Sequence, residues 1–172
     1  MLVTTLGYLI NPKDQRVLVL HRTKKKGDIN HDKWIGIGGK LEEGESVVAC
    51  MQRECLEETG LIWKDPTLRG IITFNFRKDV EDPLFSELMF LYSGHEFEGQ
   101  LKECDEGELC WLSWEELFQK NLWVGDRLFL TYMRQEEPLF YMRLDYLRDQ
   151  LEAAWFNEVP IALSKGLREE KE

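Results

Sequence analysis

The sequence predicts an α+β fold, because strand-like apolar segments are mixed with one sharply bounded helix and two shorter helical segments. The chain has 172 residues, of which 43% are hydrophobic and 12% are aromatic. A chain of this size and composition can bury a substantial core as one ordinary domain. We therefore expect a single domain over residues 1–160 and a flexible C-terminal tail over residues 161–172.

The individual elements follow from hydrophobic periodicity and from turn residues. Residues 4–10 and 16–21 predict two strands that form a hairpin around the turn sequence NPKDQ. Residues 46–59 predict a helix, because they contain no Gly or Pro and are followed by Gly60, a typical left-handed helix end. Farther along, GIITFNF and LFSELMFLYSG predict strands, CWLSWEEL predicts a strand that leads into a helix near Ser113, and DRLFLTYMRQ predicts a helix. Residues 138–158 fit either an amphipathic helix or a hairpin.

The charge balance excludes some classes of function. A net charge of −10, from 32 acidic and 22 basic residues, argues against stable binding to duplex nucleic acid or to an anionic membrane. A small anionic ligand held through a metal remains compatible with this charge. The apolar runs near the N-terminus are interrupted by polar residues and lack a basic leader, so we expect no signal peptide and a cytoplasmic location. The four cysteines form no CxxC pair and are expected to be reduced.

Three glutamates stand close together on the predicted helix. Glu54, Glu57 and Glu58 occupy positions i, i+3 and i+4, which lie on one helix face. Like charges at this spacing repel, so the cluster is unfavourable unless a cation binds among the carboxylates. Carboxylate oxygens suit Mg²⁺ or Mn²⁺. The alternative is a solvated acidic face that binds no ligand.

The segment around these glutamates resembles the Nudix box of hydrolases that cleave nucleoside diphosphates linked to another group. The segment spans residues 39–61 and reads GKLEEGESVVACMQRECLEETGL. The matching positions are Gly39, Glu45, Arg53, Glu54, Glu57, Glu58, Gly60 and Leu61. Cys55 is the one departure, at a position where the family usually has Ile, Leu or Val. The resemblance implies the Nudix fold, in which a mixed β-sheet is sandwiched between α-helices (α/β/α).

The resemblance also implies a metal site and its supporting residues. The implied ligands of Mg²⁺, or of Mn²⁺ in its place, are Gly38 through its backbone carbonyl, Glu54, Glu57, Glu58 and Glu106. Glu45 and Arg53 are implied to pair and orient the site. Glu54 is implied to lie closest to the attacking water, as ligand and base. For Glu106, the alternative is an exposed acidic loop without a metal role.

The resemblance extends to most of residues 3–133 and is strongest to MutT-type enzymes, which hydrolyse oxidised purine nucleoside triphosphates such as 8-oxo-dGTP. The segments that carry it are HDKWIGIGGKLEEGE, TFNF and LWVGD. It implies that Arg22 contacts the phosphates, that Trp123 stacks on the purine, and that Asp126 bonds to the purine edge. The other implied substrate contacts are Thr5, Gly36, Gly39, Lys40, Phe74 and Phe76. For Trp123 and the two phenylalanines, the alternative is plain core packing.

Two positions depart from the mammalian-type members of this group. Those members have an asparagine where this chain has Ile35, and an aspartate where it has Gly125. Buried hydrogen bonds provide most of the selectivity among related substrates, so the loss of two polar groups predicts a broader substrate range.

The function predicted from these features is Mg²⁺-dependent hydrolysis of a nucleoside triphosphate to the monophosphate and pyrophosphate. This activity would remove oxidised purines from the nucleotide pool and so support DNA repair. Two alternatives remain, which are a Nudix hydrolase of nucleotide sugars or dinucleoside polyphosphates, and a non-catalytic nucleotide-sensing domain. The intact acidic box favours an enzyme. We expect a small-molecule nucleotide as the partner, and a monomer or homodimer.

Overall fold

The computed structural model describes residues 1–164, and these residues form eleven strands and three helices. The strands are β1 (Leu2–Leu9), β2 (Val17–Arg22), β3 (Trp34–Ile35), β4 (Leu61–Trp63), β5 (Thr67–Arg77), β6 (Phe85–Gly94), β7 (Phe97–Gly99), β8 (Gly107–Leu112), β9 (Phe140–Leu147), β10 (Gln150–Phe156) and β11 (Val159–Pro160). The helices are α1 (Val47–Thr59), α2 (Trp114–Phe118) and α3 (Val124–Arg134).

The strands form three sheets. The largest has six strands in the order β1-β6-β5-β9-β10-β11, and smaller sheets have the orders β3-β2-β8 and β4-β7. Strands β5 and β9 pair in parallel, whereas β9 pairs with β10 in antiparallel fashion. The large sheet is therefore mixed, which confirms the predicted α+β class.

The chain divides into two compact units. The first, here called the box unit, contains Thr5–Leu68 and Tyr92–Leu122. The second, here called the aromatic unit, contains Met1–Thr4, Arg69–Leu91 and Trp123–Glu172, and it is described as far as residue 164. The single domain expected over residues 1–160 stays a prediction, and residues 165–172 of the expected tail lie outside the described residues. Within residues 1–164, no helix is long and apolar enough to cross a membrane.

In the box unit, strand β2 provides much of the core, because Val17, Leu18, Val19 and Leu20 are all fully buried. Helix α1 packs against β4, and α2 packs against β8. Helix α1 begins and ends where the sequence predicts. The Ser46 hydroxyl caps it by accepting from the Ala49 N–H at 3.2 Å. Gly60 ends it with φ of 78°, in the left-handed region.

In the aromatic unit, residues 138–158 form a hairpin of β9 and β10 and not a helix. The alternating burial along β9 is typical of a strand, because every second residue is buried and all the residues between them are exposed or half-buried. The buried residues of β9 are Phe140, Met142, Leu144 and Tyr146. Helix α3 packs against β10.

The predicted N-terminal hairpin is wrong. Strands β1 and β2 enter different sheets, and only an isolated bridge between Ile10 and Val17 joins their ends. Strand β2 pairs with β3 and β8, while Gly7 of β1 bridges to Ile37. The turn sequence does reverse the chain, since the Asn11 N–H donates to the Arg16 carbonyl at 2.8 Å. Residues outside the turn determine which strands β1 and β2 pair with.

Candidate active site

The three box glutamates of helix α1 lie in different surroundings. Glu54 is 16% exposed and accepts from Arg53 Nη1 at 2.8 Å, whereas Glu57 is 59% exposed and accepts from the same nitrogen at 3.2 Å. Glu58 accepts a hydrogen bond from the Gly38 N–H at 3.1 Å. The helix therefore turns Glu58 toward the glycine run and leaves Glu57 near solvent.

Glu54, Glu58 and Glu106 influence one another electrostatically. Burial raises the pKa of Glu58 to about 8, and the nearby Glu106 and Glu54 carboxylates add to the increase. Burial also raises the pKa of Glu54, despite the opposing effect of Arg53, and Glu57 and Glu106 contribute in the same direction. Residues from α1 and from the loop before β8 thus converge on a place where negative charge is unfavourable without a cation.

Arg53 organises the loop before α1 as well as the glutamates. Its Nε donates to Glu45 Oε2 at 3.1 Å, and its Nη2 donates to Glu45 Oε1 at 2.8 Å, which makes a two-point contact. The hydrogen bonds from Arg53 and from the Glu42 N–H lower the pKa of Glu45 to about 2. Arg53 Nη2 also donates to the Lys40 carbonyl at 3.1 Å. The structure therefore brings Glu45 and Arg53 together, as the resemblance implies.

The glycine run packs against β1. A Cβ at Gly38 would overlap the Thr5 carbonyl, and a Cβ at Gly36 would lie 2.8 Å from the Gly7 carbonyl oxygen. A Cβ at Gly39 would overlap the Glu54 carboxylate. Gly36 and Gly38 are therefore needed for close approach to the protein's own backbone, while Gly39 leaves room for the Glu54 side chain.

Thr5, which the resemblance implies as a substrate contact, has its side chain next to helix α1. It is 2% exposed, and its hydroxyl lies 3.5 Å from Cys50 Sγ. The Thr5 N–H donates to the Gly39 carbonyl at 2.9 Å, and this pairing fixes which face of β1 the side chain occupies.

Arg22, at the end of β2, lies between two carboxylates. Its Nη1 contacts the Glu106 carboxylate, and its Nε donates to Asp28 Oδ2 at 2.7 Å. Asp28 also accepts from the Asn30 N–H at 3.1 Å. Although burial opposes ionisation, the hydrogen bonds from Arg22 and Asn30 lower the pKa of Asp28. Glu106 is thus half-buried beside a cation and is not a free acidic loop residue.

The donor chemistry of this cluster fits a hard divalent cation. Glu54, Glu58 and Glu106 offer only carboxylate oxygens, and the raised pKa values of Glu54 and Glu58 show that a nearby positive charge would favour their ionised forms. Within residues 1–164, no three His, Cys, Asp or Glu side chains already surround one ion position. Arg53 contacts Glu54 and Glu57, and Arg22 contacts Glu106. These contacts use Oε1 of Glu54 and Oε2 of Glu106, so the second oxygen of each carboxylate could bind an ion while the arginine contacts are kept.

Lys40 is exposed in the segment before α1 of the box unit, and the other predicted substrate residues belong to the aromatic unit. Phe74 and Phe76 lie on β5, Trp123 precedes α3, and Asp126 lies in its first turn; all four are half-buried. Tyr146 of β9 joins this group, with its ring centroid 5.0 Å from that of Phe74 and 6.0 Å from that of Trp123.

The sequence did not single out Asp28 or Tyr146. Asp28 lies in a polar loop where nothing marks it for burial. Tyr146 is one of several apolar residues that alternate along β9, and its neighbours depend on the parallel pairing of β9 with β5. The alternation of FYMRLDYL could have shown that Tyr146 is buried, but not what it contacts.

Comparison with known proteins decides the family. Residues 2–133 match the family model of the NUDIX domain. This chain is a Nudix hydrolase. Nudix hydrolases act on small nucleotide-containing molecules and generally use a divalent metal such as Mg²⁺.

Several relatives resemble this Nudix hydrolase over most of its length. An uncharacterised Nudix hydrolase, YvcI from Bacillus subtilis, is 31% identical over 134 residues, which cover 77% of this chain and 80% of YvcI. An oxidised purine nucleoside triphosphate hydrolase from Danio rerio is 31% identical over 121 residues, covering 69% of this chain and 73% of that protein. The crystal structure of a mutator MutT protein from Bacillus halodurans superposes with a TM-score of 0.80 at 26% identity, covering 93% of this chain and all of that one (100%).

Proposed function

We propose that this Nudix hydrolase converts nucleoside triphosphates to monophosphates and pyrophosphate, with a preference for oxidised purines such as 8-oxo-dGTP. The observation that carries the hydrolytic part is the convergence of Glu54, Glu58 and Glu106 beside Arg53 and Arg22. The preference for oxidised purines is supported by the similarity to the Danio rerio hydrolase, whose name states that substrate class.

Glu54, Glu58, Glu106 and the Gly38 carbonyl would hold Mg²⁺, or Mn²⁺ in its place. A divalent ion there would offset the negative charge of the phosphate oxygens and lower the pKa of water. Glu57 would also contact the ion but is assigned a weaker part, because its carboxylate is more exposed to solvent than that of Glu54.

Side chains of the protein would position the site, accept the proton and bind the phosphates. Arg53 holds Glu45 and Glu54 in place, and Glu54 would accept a proton from the attacking water. Arg22 and Lys40 would offer positive charge to the phosphates. The water oxygen forms a new bond to phosphorus, the link between the α- and β-phosphates breaks, and pyrophosphate leaves.

In this proposal, Trp123 stacks on the purine, Asp126 bonds to its edge, and Phe74 lines the pocket. Aromatic rings stack on bases of every kind, so Trp123 would contribute affinity, whereas the carboxylate of Asp126 would contribute selectivity.

The test is a substrate panel with the purified protein, in which released pyrophosphate and phosphate are measured separately. We expect pyrophosphate from 8-oxo-dGTP, 2-oxo-dATP and dGTP, with the largest kcat/KM for an oxidised purine. Cleavage of nucleotide sugars or dinucleoside polyphosphates in the absence of triphosphate cleavage would contradict the proposal. Tight nucleotide binding without any turnover would instead support a sensing domain.

A further inference from the structure

The N-cap residue of helix α3 supplies no capping side chain. Trp123 is its N-cap residue and makes no side-chain cap hydrogen bond, although Ser, Thr, Asp or Asn would usually accept one from an N–H in the first turn. The Gly125 N–H donates instead to the Tyr146 hydroxyl at 2.7 Å. Tyr146, on strand β9, therefore accepts a hydrogen bond of the kind that an N-cap side chain usually accepts.

Gly125 makes this contact feasible. A Cβ at position 125 would lie 2.6 Å from Leu144 Cδ1 and 2.9 Å from the Tyr146 hydroxyl oxygen. Any larger residue would push β9 and the start of α3 apart or force these side chains to move. The glycine that departs from the mammalian-type pattern is thus explained by close packing against Tyr146.

The Tyr146 ring contacts two of the candidate base-binding residues. It is tilted by 38° relative to Phe74, and it meets Trp123 edge to face at 87°. Tyr146 itself is only 5% exposed, so little of its surface is available for contact with a substrate. Its hydroxyl fixes the first turn of α3, while its ring packs against the side chain that precedes that turn.

We propose that Tyr146 is a positioning residue that sets base selectivity by fixing the start of α3, which carries Trp123 and Asp126. The inference rests on the proposed function, because it takes these two residues as base contacts. The inference adds Tyr146 to the residues that control base recognition, and Tyr146 lies on β9, outside the matched family region of residues 2–133.

The expected effect is specific to the base. Asp126 directly follows Gly125, so a loosened first turn displaces its carboxylate and the neighbouring Trp123 ring. The residues proposed to contact the phosphates and the metal belong to the box unit. Loss of the hydroxyl should therefore raise KM for the preferred purine and leave kcat nearly unchanged.

The test compares Tyr146→Phe with Tyr141→Phe, a matched control on the same strand whose side chain is 52% exposed. We expect kcat/KM for the preferred oxidised purine to fall about 5- to 20-fold in Tyr146→Phe, through KM, the range set by one lost buried hydrogen bond. Hydrolysis of dCTP should change less than about twofold, as should every substrate with Tyr141→Phe.

A second measurement, amide hydrogen exchange at Gly125, tests the contact without using activity. Exchange should become at least about tenfold faster in Tyr146→Phe. Unchanged exchange, or an equal loss of kcat on all nucleotides, would overturn the positioning role. If the wild type prefers an unoxidised base, the oxidised-purine proposal fails. The role of Tyr146 is then tested by the change in kcat/KM for that preferred base in Tyr146→Phe. A wild type without any base preference would overturn the selectivity role itself.

Discussion

The Nudix-box residues of the box unit and the aromatic residues of the aromatic unit come together over different distances along the chain. In the box unit, Glu45, Arg53 and Glu54 come from one loop and the helix that directly follows it, and their contacts join residues at most eight positions apart. In the aromatic unit, Phe74, Trp123 and Tyr146 come from three separate elements that meet only through tertiary structure. A motif in the sequence therefore describes the first group well and the second group poorly.

The two groups also differ in the forces that hold them. The box residues are joined by charged hydrogen bonds, and burial makes the negative charge of Glu54 and Glu58 unfavourable. The aromatic residues are held by ring packing and by a neutral hydrogen bond. Changes of charge should therefore affect the box unit most, whereas changes of shape should affect the aromatic unit most.

Removal of metal should produce the largest effect of all. We expect chelator to abolish hydrolysis, because the carboxylates of Glu54, Glu58 and Glu106 cannot neutralise a phosphate chain by themselves. Addition of Mg²⁺ or Mn²⁺ in excess of chelator should restore it. Pyrophosphate release is the measurement, and undiminished release in excess chelator would contradict the metal assignment.

Glu54→Gln should lower kcat by at least about a hundredfold while the protein stays folded, because the variant removes a charge and a proton acceptor from the reaction centre. Glu43→Gln is a suitable control, since Glu43 is exposed in the loop before the same helix. Kinetics on 8-oxo-dGTP and circular dichroism would measure the two effects. A Glu54→Gln enzyme within about threefold of wild type would refute the assignment.

The parts of the fold that sequence reasoning captured are those with local causes. Helix α1 could be predicted because Ser46 and Gly60 mark its ends within the same segment. The N-terminal hairpin was predicted wrongly because a turn shows that the chain reverses but not which strands pair. The orientation of Thr5 could not be predicted for the same reason, since it depends on the pairing of β1 with residues around Gly39.

The candidate site follows the same division. The pairing of Glu45 with Arg53 could be expected from the box, since both residues lie in it. Asp28 and Tyr146 could not be found, because each gains its role from a partner brought close by folding. From the sequence, Gly125 indicated only that a polar side chain found in related proteins is absent. The structure shows Tyr146 and Leu144 so close to Gly125 that a larger residue would clash with them.

A smaller and more selective effect is expected from Asp126→Ala. If Asp126 bonds to the purine edge, its loss should weaken binding of oxidised purines by about 1–3 kcal/mol and affect dCTP little. The values of kcat/KM for 8-oxo-dGTP, dGTP, 2-oxo-dATP and dCTP would show this pattern. Asp149→Ala, an exposed site of the same unit, serves as the control. Equal losses on all four nucleotides would refute a role in base recognition.

The smallest effect, and the most direct comparison of the two units, comes from removing one cap from each helix. Ser46→Ala deletes a local cap from α1, and Tyr146→Phe deletes a distant one from α3. Each should lower the free energy of unfolding by about 0.5–2 kcal/mol, as measured by urea denaturation. Their effects on activity should differ, because Arg53 also ties α1 to the preceding loop through Glu45 and Lys40, whereas Trp123 supplies no side-chain cap to α3. Ser46→Ala should therefore leave base preference unchanged, and Tyr146→Phe should reduce it. Equal changes in base preference would mean that general loss of stability, and not the local position of α3, controls selectivity.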